Sequence, residues 1–169
     1  LAANKYTVIR HLFPAEYMRS MREYFRKYVG SGFMSFGDDQ VGMRYREHNQ
    51  VLATYLQGQF LHLMSQVLGE PVKRSYVYAA SYKGGAILDP HTDREQCEFS
   101  ISFQVDYEPE PEGQISPWAI YAEPFSDYRD AIQKRGTTIG WDEIENRDRE
   151  RNPTPIHLAS GDGLIYKGR

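Results

Sequence analysis

The hydrophobic period of this chain changes once, near residue 72, and that change bounds the folds open to it. Before it, apolar side chains recur at helical spacing. Over residues 14–29 they fall at Tyr17, Met18, Met21, Tyr24, Phe25 and Tyr28, the pattern of a helix with one buried stripe. Pro14 suits a first helical position and Gly30-Ser31-Gly32 stops the run. A second helix is expected over roughly 48–68, striped by Leu52, Leu56, Phe60, Leu63 and Val67 and closed by Gly69 and Pro71.

From residue 73 the period is two. RSYVYAASY alternates, placing Tyr76, Tyr78, Ala80 and Tyr82 on one face of a strand. Lys83-Gly84-Gly85 turns the chain, and AILDPHTD reads as the next strand. CEFSISFQVDY (97–107) follows, rich in aromatic and β-branched residues, then WAIYAEP. PIHLASGDGLIYKG reads as a pair of strands around Gly161-Asp162-Gly163. The charge-dense WDEIENRDRERNP, within 124–155, reads as a solvated helix or surface excursion. Two helices followed by many short strands imply a mainly β fold with supporting α-helices. A length of 169 residues suits one domain. Residues 1–72 would carry an N-terminal strand and bracing helices, and 73–169 the β core.

Charge and cysteine content narrow the function. A net charge of −3 gives no support for a nucleic-acid or anionic-membrane partner. No apolar run approaches the ~20 residues that span a bilayer, and no charged-then-apolar leader opens the chain. The single cysteine, Cys97, excludes an internal disulfide and suits a reducing compartment, so a cytoplasmic location is expected.

The chain has five histidines, and one of them, His91, stands two residues before Asp93. On a strand both would point to one face. An unpaired carboxylate on an apolar face is costly, so either that face meets solvent or a cation sits between the two groups. Imidazole with carboxylate suits Fe(II) in a two-His-one-carboxylate arrangement, which leaves positions open for oxygen chemistry. His11, His48 and His62, in helical or N-terminal context, read as surface or packing residues.

The surrounding pattern is Tyr82, Gly85, His91 and Asp93, as Y-x-x-G-x-x-x-x-x-H-x-D. It resembles the Fe(II)/2-oxoglutarate-dependent dioxygenases, in particular their prolyl-4-hydroxylase-like branch. CEFSISFQVDY matches that family's next core strand, and IHLASGDGLIY the stretch before its last one. The resemblance implies a double-stranded β-helix (a cupin-like jelly roll), with His91 and Asp93 as iron ligands and Tyr82 contacting 2-oxoglutarate. It implies O2 as oxidant, succinate and CO2 as products, and hydroxylation or desaturation of a small-molecule or peptide substrate. The acid at Asp93 separates the chain from halogenating relatives, which carry a small residue there. Tyr78 and Arg94 are candidate substrate contacts. Arg44 and Arg46 stand in the polar stretch VGMRYREHNQ, where either could meet a carboxylate, and Trp118 reads as core or rim packing.

A third ligand and the base that pairs with the far carboxylate of 2-oxoglutarate are expected beyond Arg169. His157 is the substitute inside the chain, but Ile156 and Leu158 beside it should take the core face and turn it away. The rival reading is a cupin-like small-molecule-binding jelly roll, or a catalytically decayed oxygenase fold. The family resemblance predicts that the continuation past Arg169 carries a histidine within about fifteen residues, counting by strand geometry from the Gly161-Asp162-Gly163 turn, and an arginine or lysine about ten residues later. The downstream codons test it: a long continuation without histidine favours the non-catalytic reading.

Overall fold

The computed structural model describes residues 6–89, 91, 93–110, 116, 118–122 and 154–168. The elements run β1 (Tyr6–Ile9), α1 (Ala15–Gly30), β2 (Ser35–Phe36), β3 (Arg44–His48), α2 (Val51–Leu68), β4 (Tyr78–Tyr82), β5 (Phe99–Phe103), β6 (Ile120–Ala122), β7 (Thr154–Ile156) and β8 (Gly163–Lys167). Small antiparallel sheets, ordered β1-β8-β5, β2-β3-β4 and β6-β7, account for the strands. The chain divides into two compact units, Leu1–Glu23 with Asp89–Arg169, and Tyr24–Leu88.

In the first unit β8 is the central strand. Tyr166 lies opposite Tyr6 on one side and Ser100 on the other. Leu164 and Ile165 are both essentially inaccessible to solvent. Burial on both faces explains why GLIY reads as a continuous apolar run. Ile156, Leu158 and Leu164 form a core cluster flanked by Tyr6, Val8, Ala122 and Tyr166.

The turn entering β8 joins these strands. Gly161 has φ +93°, a left-handed conformation in which a side chain is strained. A Cβ on Gly163 would stand 2.6 Å from Leu12 Cδ1. Between them Asp162 is fully buried, and its carboxylate accepts from the Arg10 guanidinium, the His11 N–H and the Ala159 N–H. The backbone adds Leu12 N–H to Gly161 carbonyl (2.9 Å), Gly161 N–H to Gln104 carbonyl (2.7 Å) and Gln104 N–H to Asp162 carbonyl (2.9 Å). Burial alone would raise the Asp162 pKa, but the Ala159 N–H, Arg10 and the His11 N–H outweigh it and hold the carboxyl below its usual range.

In the second unit, α2 buries Leu56, Phe60 and Met64 along one line. Its N-cap is Gln50, whose Oε1 accepts the Ala53 N–H while its Nε2 donates to the Tyr24 hydroxyl. Gly69 closes the helix at φ +78°. Tyr28, on α1, donates to Glu47 of β3.

The architecture corrects several expectations. AILDPHTD is not a strand: residues 86–89, 91 and 93 carry no ladder, and Asp93 N–H bonds instead to the Gly168 carbonyl. A glycine pair and then Pro90, which has no N–H to donate, leave the segment poorly suited to pairing. VGMRYREHNQ, read as a polar stretch, contains β3, and His48 ends that strand rather than opening a helix. The strands around Gly161-Asp162-Gly163 join different sheets, β7 pairing with β6 and β8 with β1 and β5. Strand order in RSYVYAASY is confined to Tyr78–Tyr82. WDEIENRDRERNP lies outside the described residues. No described helix is long and apolar enough to cross a membrane.

Asp162→Ala should cost about 3 kcal/mol, because it orphans two backbone donors and an arginine, measured by urea unfolding at neutral pH. Since the folded pKa is depressed, this contribution is complete above the ordinary carboxylate range and is lost as pH falls below about 4. The acid limb of the stability profile should therefore flatten in the variant.

Candidate functional site

His91 and Asp93 converge without the help of a strand. Asp93 is placed by the end of the central sheet: its N–H donates 2.8 Å to the Gly168 carbonyl, and the Gly168 N–H donates 3.0 Å to Glu98. Position 168 must be small here, because a Cβ would come within 2.6 Å of both Asp93 Oδ2 and the Cys97 carbonyl. Asp93 Oδ2 accepts from the Ser100 hydroxyl. Tyr166 lies beside the same carboxylate. Burial first, then the adjacent Asp93 charge, push its phenol up to about 12, so it stays protonated at neutral pH.

Among the described residues, the other oxygen faces His91. Oδ1 stands 3.9 Å from His91 Nε2, too far for a hydrogen bond. His91 Nδ1 lies 2.8 Å from the Asp89 carbonyl oxygen, which can only accept, so the neutral ring carries its hydrogen on Nδ1 and turns the Nε2 lone pair toward Asp93. Two electron-pair donors thus face each other across a gap, with the imidazole orientation set by a backbone acceptor, as in metal-binding histidines. His91 Nε2 and Asp93 Oδ1 are of the kind that could supply two ligands to a divalent transition metal. Among the described residues, no group of three or more His, Cys, Asp or Glu side chains is placed to hold a metal ion.

The second unit carries a polar cluster on one face of β3 and β4. Register places Arg44 opposite Tyr82, Arg46 opposite Ala80 and His48 opposite Tyr78. Arg44 is only 4% exposed. Its guanidinium donates to Asp38 (2.7 Å), the Tyr82 hydroxyl (3.0 Å) and Gln40 (3.2 Å), and lies over the rings of Tyr78 and Tyr82. Asp38 also accepts the Gln40 and Val41 N–H groups and the Tyr78 hydroxyl. Burial works against its ionisation, but the Val41 N–H, Tyr78 and Arg44 hold the carboxyl far below its usual range. Burial, followed by the bond to Asp38, pushes the Tyr78 phenol up to about 12. Because a guanidinium cannot accept, the Tyr82 oxygen is the acceptor in its bond to Arg44, and the phenolic hydrogen is left for another partner. Tyr82 is 46% exposed.

The remaining candidates fall elsewhere. Arg94 is exposed, in the turn closed by Cys97 N–H bonding to its carbonyl. His157 is exposed between buried Ile156 and Leu158, and its Nδ1 bonds to the Ser116 carbonyl at 2.8 Å. Trp118 lies just before β6 and stacks on Tyr107. Sequence reasoning named Arg44 only as a residue able to meet a carboxylate and did not single out Asp38. Arg44 and Asp38 are six residues apart, but their bonds to Tyr82 and Tyr78 span 38 and 40 positions, which no local pattern displays.

No known protein family and no curated protein matches the sequence. A solved structure, the crystal structure of a Pseudomonas putida prolyl-4-hydroxylase, matches with a TM-score of 0.60 over 98% of this chain and 81% of that one, at 14% identity. The chain shares that hydroxylase's fold.

Gly168→Ala tests how Asp93 is placed. Overpacking against Asp93 and the Cys97 carbonyl should destabilise the protein by about 1–3 kcal/mol, read by thermal or urea unfolding.

Proposed function

We propose that the protein is an Fe(II)- and 2-oxoglutarate-dependent oxygenase of the hydroxylase type, acting on a small-molecule or peptide substrate. The observation that carries this reading is the His91–Asp93 pair, a free imidazole lone pair facing a free carboxylate oxygen, in a chain with the fold of a prolyl-4-hydroxylase. On this reading the small sheets belong to a double-stranded β-helix. Bound iron and 2-oxoglutarate, with O2 as the oxidant, would supply the oxidising chemistry, with succinate and CO2 released.

The chain's own residues position and protect that chemistry. The Asp89 carbonyl fixes the His91 tautomer that leaves Nε2 free. Ser100 ties one oxygen of Asp93 and leaves the other for metal. Gly168 holds the Asp93 backbone. Tyr82, with its oxygen occupied by Arg44, is left to donate its hydrogen to a carboxylate of 2-oxoglutarate; this assignment rests on the Y-x-x-G-x-x-x-x-x-H-x-D spacing and the direction of the Arg44 bond.

Three variants test the assignment. His91→Ala and Asp93→Ala should each abolish Fe(II) binding, measured by anaerobic titration, and 2-oxoglutarate-dependent succinate formation. His91→Ala should change stability by no more than about 0.5 kcal/mol, because its ring is exposed. Tyr82→Phe should raise half-saturation by 2-oxoglutarate several-fold, the effect of one hydrogen bond worth ~0.5–1.5 kcal/mol. Full turnover in Asp93→Ala would exclude the metal assignment. Ligand binding with no succinate under any condition would favour a binding jelly roll.

A further inference from the structure

The face of β3 and β4 that carries Tyr82 holds more positive charge than its own acid can neutralise. Asp38 meets both Arg44 and Arg46, at 2.7 and 3.3 Å, leaving an excess of one positive charge. The other charged groups nearby do not remove it. Glu47 alternates to the opposite side of β3 and accepts from Tyr28, and Lys83 stands over Tyr45 on that opposite side. Asp39 is exposed and forms no ion pair with either arginine. His48, on the same face, packs its ring 4.7 Å from that of Tyr78.

The two arginines are used differently. Arg44 is buried, and its guanidinium is consumed by Asp38, Gln40 and Tyr82. Arg46 is fastened by its Nε alone, 3.0 Å from the Gly37 carbonyl and 3.3 Å from Asp38, with its side chain 33% exposed. Its two terminal amino groups have no acceptor among the described residues. A guanidinium gripped by Nε presents those two groups as a fixed fork, the geometry that takes a carboxylate with two parallel hydrogen bonds. On the same face, diagonally across from Arg46, is the Tyr82 hydroxyl, whose hydrogen is unclaimed because Arg44 occupies its oxygen. The side chain directly opposite Arg46 is only Ala80.

We propose that Arg46 and Tyr82 form a carboxylate-binding site on the β3–β4 face, with Arg44 and Asp38 as the support that directs both donors outward. One surplus positive charge, one fork and one phenol donor match a singly charged planar carboxylate. The inference deepens the oxygenase reading, because that carboxylate belongs either to 2-oxoglutarate or to the substrate. It does not depend on turnover.

The test is equilibrium binding to the full chain, followed by calorimetry and by the arginine Nε–H signals in nitrogen-edited NMR. The probes are 2-oxoglutarate, N-acetylglycine and the uncharged N-acetylglycinamide. At least one acid should bind and move the Arg46 Nε–H signal, while the amide should not bind. Arg46→Gln should weaken that acid about ten-fold or more, and Tyr82→Phe several-fold. Arg46→Lys should rescue only part of the loss, since it restores charge without the fork. Circular dichroism of each variant separates lost binding from lost fold. A loss confined to 2-oxoglutarate assigns the site to the co-substrate, and a loss confined to N-acetylglycine assigns it to the substrate. Unchanged affinity in a folded Arg46→Gln, amide binding equal to the acid, or no binding of either acid by the unaltered chain overturns the proposal. Arg46-dependent binding without any succinate formation would keep this site and remove the oxygenase reading.

Discussion

A buried carboxylate organises the first unit. Asp162 sits at the entry to β8 with no exposure to water, and an ionised acid persists in such a place only when every oxygen is met by a donor. Arg10, the His11 N–H and the Ala159 N–H meet it. Those groups flank β1 on one side and the exit from β7 on the other, so satisfying one charge also sets where three segments pass each other. Flanking glycines are required because the turn runs through a left-handed conformation and presses against Leu12 and Met18. β8 starts from this turn, and the residue that follows β8 holds the Asp93 backbone.

Three aspartates show how donor supply separates bracing from reactivity. Asp162 and Asp38 are surrounded by backbone N–H groups and arginine, and both are held as strong acids with little capacity left for a ligand. Asp93 has fewer donors among the described residues. Ser100 takes Oδ2, while Oδ1 faces Nε2 of His91. With the ring neutral, two acceptors face each other, an arrangement that a proton on Nε2 or a bound cation relieves.

The polar face of β3 and β4 follows the same logic with the opposite sign. Arg44 is consumed by the protein and Arg46 is not, although the two are two residues apart on one strand. Neighbouring side chains of identical chemistry are given different duties by what happens to stand opposite them, Tyr82 in one case and Ala80 in the other.

Local chemistry was legible from sequence wherever it depended on neighbours in the chain. The helices α1 and α2 were expected within a few residues of where they lie, because a 3.6-residue apolar stripe and its glycine stops are local signals. The strands β4 and β5 stood out by alternation and β-branched content, and the His91–Asp93 pair by spacing within a wider pattern. β3 was hidden because its buried position is an arginine, whose cost is removed by an aspartate six residues away, so no apolar period marks it. The segment before His91 was taken for a strand because periodicity records side-chain alternation and not whether a partner edge exists. Only the tertiary structure decided that β7 and β8 part to different sheets and that Asp93 Oδ1 is turned toward His91. It also decided the direction of the Tyr82 hydrogen bond, because the Arg44 donor lies 38 residues away and meets it only through strand pairing.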